Sequence, residues 1–222
     1  MGKTITLTID GMPVTVDEGT TILEAARMYG INIPTLCYAK NLSPYGACRM
    51  CIVEVSRGNG SPQVVASCTY EVQPGISVQT NTPRIARDRR MIAELLVASA
   101  PNVKLAQDIA ARLGLQEVRF RFEDNRCILC GLCIRMCTEQ MGGRALTFAG
   151  HGVGRRIAMP FDKHSETCKE CGGCDMICPA TTVPCQGVKP EGYLCGGCAM
   201  PVERVYCCSM GNPGCFCERN PL

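Results

Sequence analysis

The sequence predicts an α+β protein made of a small β-sheet domain, a helical linker, a second domain built around cysteines, and a cysteine-rich tail. Three observations lead to this prediction. The chain has 19 cysteines in 222 residues, apolar residues alternate at the N-terminus, and a stretch without cysteine or histidine has helical periodicity. The predicted boundaries are 1–82, 83–118, 119–182 and 183–222.

The first domain has the local patterns of a β-grasp fold. Residues 3–9 alternate in polarity and Val14 and Val16 continue the pattern after Asp10-Gly11, which predicts a hairpin. The Thr21-x-x-Glu24 capping box predicts a helix that runs to about Tyr29 and stops at Gly30. Further strands are predicted at Ile52–Val55, Val64–Ser67 and Ile76–Gln79.

The linker over 83–118 is predicted to be a helical hairpin. The first helix is predicted because Ile92, Leu95, Leu96 and Ser99 fall on one helical face. Pro101 ends this helix, and the i, i+4, i+8 spacing of Leu105, Ile109 and Leu113 predicts a second helix that ends at Gly114. The first helix also carries a basic cluster, made of Arg84, Arg87, Arg89 and Arg90. A solvated helix face is the simpler interpretation of this cluster, and a docking patch for an acidic partner is the alternative.

Charge and targeting signals exclude several classes of function. The formal net charge is +3 with both signs mixed, which gives no indication of a nucleic-acid partner. The N-terminus lacks the apolar segment of an export signal, and no apolar run is long enough to span a bilayer. An odd number of cysteines with C-x-x-C spacings favours metal ligation over disulfides, so we expect a reducing compartment, the cytoplasm.

Four cysteines of the first domain have the spacing C-x10-C-x2-C-x16-C, and they are Cys37, Cys48, Cys51 and Cys68. Four thiolates can hold a [2Fe–2S] cluster with two ligands on each iron. Gly46 lets the backbone of the loop approach the cluster. Structural zinc also takes four cysteines, but it would more often have two short pairs, so the spacing and the β-grasp pattern favour [2Fe–2S].

The second domain carries two copies of the C-x2-C-x2-C-x3-C run that holds paired [4Fe–4S] clusters. In such proteins three thiolates of one run and the fourth of the other bind the same cluster. The first cluster is therefore predicted on Cys127, Cys130, Cys133 and Cys178. The second is predicted on Cys137, Cys168, Cys171 and Cys174. Zinc or disulfides are the alternatives that two complete runs disfavour. The glycine-rich insert between the runs, including 150–154, predicts a hairpin.

Two segments of the first domain, 33–38 and 46–55, resemble the N-terminal iron–sulfur region of the large iron–sulfur subunit of complex I. The same domain occurs in the diaphorase small subunit of NAD-linked hydrogenases. The resemblance extends into 90–96 and 108–114, and it implies a ferredoxin-like electron-transfer module. Between those two stretches the family usually carries a His/Cys-ligated [4Fe–4S] cluster. Residues 97–104 contain neither histidine nor cysteine, which predicts that this chain has lost that cluster.

The tail holds a further group of cysteines: Cys185, Cys195, Cys198, Cys207, Cys208, Cys215 and Cys217. Cys195-Gly-Gly-Cys198 has the form of a zinc knuckle, and two or more of the other five are expected to complete the site. A short segment with few large apolar residues rarely folds without such a staple. An additional iron–sulfur cluster and a partly disordered, redox-active tail are the alternatives.

The sequence contains no glycine-rich phosphate-binding motif and no flavin or nicotinamide site that we can locate. We therefore expect a non-catalytic subunit that relays single electrons through its clusters. The resemblance implies a hetero-oligomer in which one partner is a flavin subunit that binds NAD(P)H. The other partner is then a second redox subunit, of hydrogenase, formate dehydrogenase or electron-bifurcating type. The alternatives are a free-standing multi-cluster ferredoxin and a zinc-stapled scaffold without a redox role.

Overall fold

The computed structural model describes residues 3–58, 60–123 and 125–180, which divide into two compact units. The first unit takes its described residues from Met1–Tyr38 and Pro44–Asp124. The second takes them from Ala39–Ser43 and Asn125–Leu222. The tail cysteines predicted to bind metal, from Cys185 to Cys217, lie outside the described residues.

The first unit contains a five-stranded mixed sheet with the order β2-β1-β5-β3-β4. The strands are β1 Thr4–Ile9, β2 Met12–Asp17, β3 Ile52–Arg57, β4 Gln63–Ala66 and β5 Ile76–Gln79. The β1–β2 hairpin turns at Asp10 and Gly11, whose φ angles of 49° and 82° suit a tight two-residue turn. The last strand returns to pair in parallel with β1. The predicted strands are thus confirmed in a β-grasp arrangement.

Helix α1, Ile22–Met28, forms where the capping box predicts it. The Thr21 hydroxyl accepts a hydrogen bond from the Glu24 backbone N–H at 3.3 Å, and the Glu24 carboxylate accepts one from the Thr21 N–H at 3.0 Å. Ile22 and Leu23 are fully buried in the core that includes the sheet residue Leu7. Burying each such side chain stabilises the fold by about 1.5–3 kcal/mol. This core holds the loops that carry the candidate site.

Helices α2, Pro83–Ser99, and α3, Lys104–Arg112, confirm the predicted helical hairpin. The apolar residues that predict α2 do not lie on its most buried face. Leu95 is 48% exposed, and Ile92, Leu96 and Ser99 are only half-buried. The residues that α2 buries are Ile85, Arg89, Ala93, Glu94 and Ala98. The interior face therefore includes two charged side chains, which periodicity of apolar residues does not reveal.

Glu94 ties α2 to the segment that follows α3. Its carboxylate accepts hydrogen bonds from the backbone N–H of Arg119 at 2.7 Å and from the Arg119 Nε at 2.9 Å and Nη2 at 2.7 Å. Its side chain is only 3% exposed. Hydrogen bonds from the Arg119 guanidinium and backbone hold the pKa of Glu94 below its usual range. The ion pair is therefore a pH-dependent source of stability.

We predict that Glu94→Gln lowers the melting temperature at pH 7 by several degrees. Because the pKa of Glu94 is depressed in the folded state, its contribution is complete above the pKa of an unfolded glutamate, about 4.3. The contribution is lost as pH falls through the folded-state value. The difference between wild type and variant should therefore shrink below about pH 4.3, which parallel melting curves measure. Glu71→Gln, at an exposed position, is the control, and equal losses in the two variants would contradict the role of Glu94.

The second unit is built from short elements. They are α4 Leu132–Arg135, a π-helical turn Met136–Gln140, β6 Thr147–Ala149, β7 Arg156–Ala158 and α5 Gly173–Met176, with 3₁₀ turns at Gly152–Gly154 and Pro160–Asp162. Strands β6 and β7 pair antiparallel, which confirms the hairpin predicted in the insert. Leu146, Ile157 and Met159 pack with Cys133 in its small core. No helix in the described ranges has the length and apolar character needed to cross a membrane.

Segment 39–43 belongs to this second unit and is held there by hydrogen bonds to its backbone. The Glu139 carboxylate accepts from the Ser43 N–H at 2.7 Å, and the Gln140 amide donates to the Asn41 carbonyl at 2.7 Å. Arg135 donates to the Ser43 carbonyl. The sequence did not predict this arrangement, because the segment lies between two cysteines assigned to the first domain.

Candidate metal centres

The first unit brings the thiols of Cys37, Cys48, Cys51 and Cys68 together in two pairs. Cys51 Sγ lies 3.3 Å from Cys68 Sγ, and the Cys48 thiol is hydrogen-bonded to Cys37. The fold explains this arrangement. Cys37 follows α1, Cys51 directly precedes β3, and Cys68 lies just after β4. Cys37, Cys51 and Cys68 are each only 1% exposed.

Two thiol pairs fit a binuclear cluster. With metal–sulfur bonds of about 2.3 Å and tetrahedral angles, two sulfur atoms on one metal lie roughly 3.8 Å apart. The Cys51–Cys68 distance of 3.3 Å needs only a small movement to reach that value. A [2Fe–2S] cluster with four cysteine ligands takes two thiolates on each iron. In the part of the chain that the structure describes, no three His, Cys, Asp or Glu side chains are grouped to hold a single metal ion.

In the loop before β3, the backbone conformation lets N–H groups point toward cysteine sulfur atoms. Gly46 and Arg49 both have left-handed backbones, with φ of 66° and 57°, and the Met50 N–H donates to the Cys48 sulfur. Such turns direct successive N–H groups inward, where they stabilise negative charge. A Cβ at Gly46 would lie 3.1 Å from Cγ2 of Thr69. Position 46 therefore requires glycine for two reasons, its positive φ and the lack of room for a Cβ.

Burial and mutual hydrogen bonding shift the pKa values of these thiols in different directions. The hydrogen bond to Cys37 and burial raise the pKa of Cys48, and the bond between Cys68 and Cys51 raises the pKa of Cys68. The same bond lowers the pKa of Cys51 to about 6. Cys48 and Cys68 therefore keep their protons at neutral pH unless a metal displaces them, whereas the Cys51 thiol is largely ionised. Cluster uptake would therefore release protons.

Arg89 is a residue of this site that sequence reasoning missed. The solvated face predicted for the basic cluster is observed for Arg84, Arg87 and Arg90, which are exposed, whereas Arg89 is only 5% exposed. The expectation was wrong for this one arginine, since it lies one turn after Ile85 on the interior face of α2. Its position four residues after Ile85 was the available sign in the sequence.

The two cysteine runs of the second unit have similar backbone conformations at equivalent positions. Leu129 and Glu170 occupy equivalent positions and have φ of 52° and 49°, and Gly131 and Gly172 have φ of 69° and 68°. A short helix follows at once in each run, α4 in the first and α5 in the second, and these helices contact each other. The internal repeat seen in the sequence is thus a structural repeat.

Cys133 lies near cysteines from both runs. Its pKa is raised to about 12, first by burial and then by the charges of Cys178, Cys130 and Cys127. These three are the residues predicted to share a cluster with Cys133. The pKa of Cys174 is likewise raised, first by burial and, among cysteines, by the charges of Cys133 and Cys171. The structure therefore gathers thiols across the two runs.

Backbone N–H groups also reach the sulfur atoms of the second unit. The Leu129 N–H donates to Cys127 Sγ and the Ala145 N–H to Cys137 Sγ, each at 3.3 Å. A Cβ on Gly143 would lie 3.2 Å from Cys137 Sγ. Cys168 is half-buried, whereas Cys171 is exposed. These contacts are of the type that tunes cysteine-bound iron.

The turn between α2 and α3 is packed with small apolar groups. Ala98, Ala100, Val103 and Ala106 are all at most 4% exposed. Residues 97–104 offer no histidine or cysteine. The loss of a cluster at this position stays a prediction from the sequence.

Comparison with known proteins identifies the N-terminal domain. Residues 2–83 match the family described as the 2Fe-2S iron-sulfur cluster binding domain. The NADPH-Fe(3+) oxidoreductase subunit alpha of Geobacter sulfurreducens is 33% identical, over 85% of this chain and 25% of that protein. The mitochondrial NADH-ubiquinone oxidoreductase 78 kDa subunit of Neurospora crassa is 31% identical, over 73% of this chain and 25% of that protein. This chain thus spans about a quarter of the length of either relative.

A solved structure matches over most of both chains. It is a crystal structure of NAD+-reducing [NiFe]-hydrogenase in the H2-reduced state. The match has 31% identity and a TM-score of 0.62, and it covers 70% of this chain and 74% of that one. The chain therefore belongs to the family that includes complex I 75/78 kDa subunits and the subunits of NAD-reducing hydrogenase and NADPH-Fe(3+) oxidoreductase, and its N-terminal part is a [2Fe–2S] cluster binding domain.

Proposed function

We propose that the chain is an iron–sulfur electron-transfer subunit of a multisubunit NAD(P)-linked oxidoreductase. The observation that carries the proposal is the pairing of four thiols, three of them buried, in a [2Fe–2S] binding domain, with Cys51 and Cys68 3.3 Å apart. Bound iron–sulfur clusters supply one-electron redox chemistry. The chain itself holds them, excludes water from them and sets the polarity around their sulfur atoms.

In this proposal the first unit holds one [2Fe–2S] cluster on Cys37, Cys48, Cys51 and Cys68. The second unit holds two [4Fe–4S] clusters, one on Cys127, Cys130, Cys133 and Cys178 and the other on Cys137, Cys168, Cys171 and Cys174. The matched backbone of the two runs supports equal roles for them. Among the cysteine charges that raise the pKa of Cys133, that of Cys178 is the largest, which supports the crossed assignment.

The partners we propose are a flavin subunit that oxidises NADH or NADPH and a second redox subunit, with hydrogenase as the first candidate. The names of the relatives, which include oxidoreductase and hydrogenase subunits, support this assignment. We also propose a reducing compartment, the cytoplasm, because the C-x-x-C spacings favour metal ligation over disulfides. In the tail we propose a zinc site or an additional cluster that includes Cys195 and Cys198.

The proposal is tested by purifying the 222-residue chain anaerobically and measuring iron, acid-labile sulfide and zinc. One [2Fe–2S] and two [4Fe–4S] clusters require about ten iron atoms per chain, with paramagnetic resonance signals of both cluster types after reduction. Native material should elute within a larger complex. A colourless protein that contains zinc and no sulfide would overturn the proposal in favour of a scaffold, and elution of a cluster-loaded monomer would favour a free carrier.

A further inference from the structure

The buried guanidinium of Arg89 braces the backbone on both sides of Cys51. Its Nε donates to the Met50 carbonyl at 3.1 Å and its Nη2 donates to the Ile52 carbonyl at 2.7 Å. Met50 and Ile52 are the residues immediately before and after Cys51. One side chain from α2 therefore fixes the segment that presents this cysteine, in the fork geometry that only arginine provides.

No ion pair within the described residues compensates the charge of Arg89. Within the described residues no carboxylate contacts it at ion-pair distance, and both of its hydrogen bonds end on neutral carbonyls. A buried cation is costly unless negative charge lies near it. Burial lowers the pKa of Arg89, and the charges of Cys51 and Asp10 oppose that shift. The anionic thiolates of the site are thus a natural source of compensation.

We propose that Arg89 is a positioning residue of the [2Fe–2S] site, which fixes the Cys51 segment and raises the reduction potential of the cluster through its buried charge. The inference rests on the proposed function, because it takes Cys51 as a cluster ligand. A cluster with four thiolates is anionic, and reduction adds one more negative charge. A cation fixed in a poorly screened interior favours the reduced form, whereas solvent screens the exposed arginines of the same helix.

The test is a redox titration of the [2Fe–2S] paramagnetic signal in the full chain, purified anaerobically. In Arg89→Gln we expect the equilibrium constant for reduction to fall about tenfold, which is about 59 mV for a one-electron couple. Arg87→Gln removes the same formal charge from a side chain that is 78% exposed. This matched control should change the constant by less than about twofold. Equal potentials in the two variants would overturn the inference.

Arg89→Lys separates the effect of the buried charge from the effect of the two hydrogen bonds that hold the Cys51 segment. It keeps the cation but loses the planar fork, so we expect a reduction constant within about twofold of wild type and a cluster that is lost at lower temperature. If Arg89→Gln keeps its circular dichroism but takes up no cluster, that supports bracing, and Arg89→Lys then tests the charge effect. A tenfold fall in Arg89→Lys would reject the charge effect.

Loss of the native circular dichroism in both variants would reject the inference, because Arg89 would then be only a core residue. The wild-type spectrum separates this inference from the proposed function. A wild-type chain without a [2Fe–2S] signal rejects the proposed function, whereas a normal signal with an unshifted Arg89→Gln potential rejects only the role of Arg89.

Discussion

Cys178→Ala is expected to remove the same [4Fe–4S] cluster as Cys133→Ala, although the two cysteines belong to different runs of the sequence. The physical reason is that the thiols of Cys133 and Cys178 interact within one buried region, and a cubane needs a thiolate on each iron corner. Each variant should lose about four iron atoms per chain. Since bound clusters contribute to folding, the melting temperature of the second unit should also fall.

The comparison that decides this prediction uses Cys137→Ala. This variant removes the nearest cysteine that follows Cys133, but in the crossed assignment it belongs to the other cluster. Reduced paramagnetic resonance spectra of Cys133→Ala and Cys178→Ala should match each other and differ from that of Cys137→Ala. If Cys133→Ala instead matches Cys137→Ala, each run holds its own cluster and the crossed assignment is wrong.

Local sequence signals predicted the first unit well because each of its elements is specified by near neighbours. The Asp10-Gly11 turn and the alternation around it determine the first hairpin, and the reciprocal bonds between Thr21 and Glu24 start α1. Pro101 and Gly114 bound the helices of the linker in the same way. The cysteine spacing likewise indicated which thiols come together, since only a few loop lengths can surround a cluster.

The features that the sequence did not reveal depend on contacts between distant residues. Arg89 is buried because carbonyls at 50 and 52 accept its hydrogen bonds, and Glu94 is buried because Arg119 pairs with it. The periodicity of apolar residues that predicts α2 therefore does not show that these two charged side chains are buried. The left-handed backbones of Arg49, Leu129 and Glu170 were also unpredicted, because no glycine marks those positions.

Gly46→Ala is expected to destabilise the first unit more than an alanine at another left-handed glycine. Any side chain at a positive φ costs about 1–2 kcal/mol, and Gly46 has a φ of 66°. Its new Cβ would also lie 3.1 Å from Thr69 Cγ2. To relieve this contact the exposed Thr69 side chain must turn away from its preferred rotamer, which adds about 0.5–1.5 kcal/mol. Since Gly46 lies two residues before Cys48, we also expect lower occupancy by the cluster.

Gly75→Ala is the matched control, because Gly75 has a φ of 71° but a Cβ there would meet nothing within 4 Å. Anaerobic melting, followed by circular dichroism and by the visible absorption of the cluster, measures both variants. Adding Thr69→Ser to Gly46→Ala removes the methyl group that the new Cβ contacts. The melting temperature of the double variant should therefore recover to that of Gly75→Ala. If Thr69→Ser restores nothing, the requirement for glycine at position 46 comes from backbone strain alone, and the clash with Thr69 has no part in it.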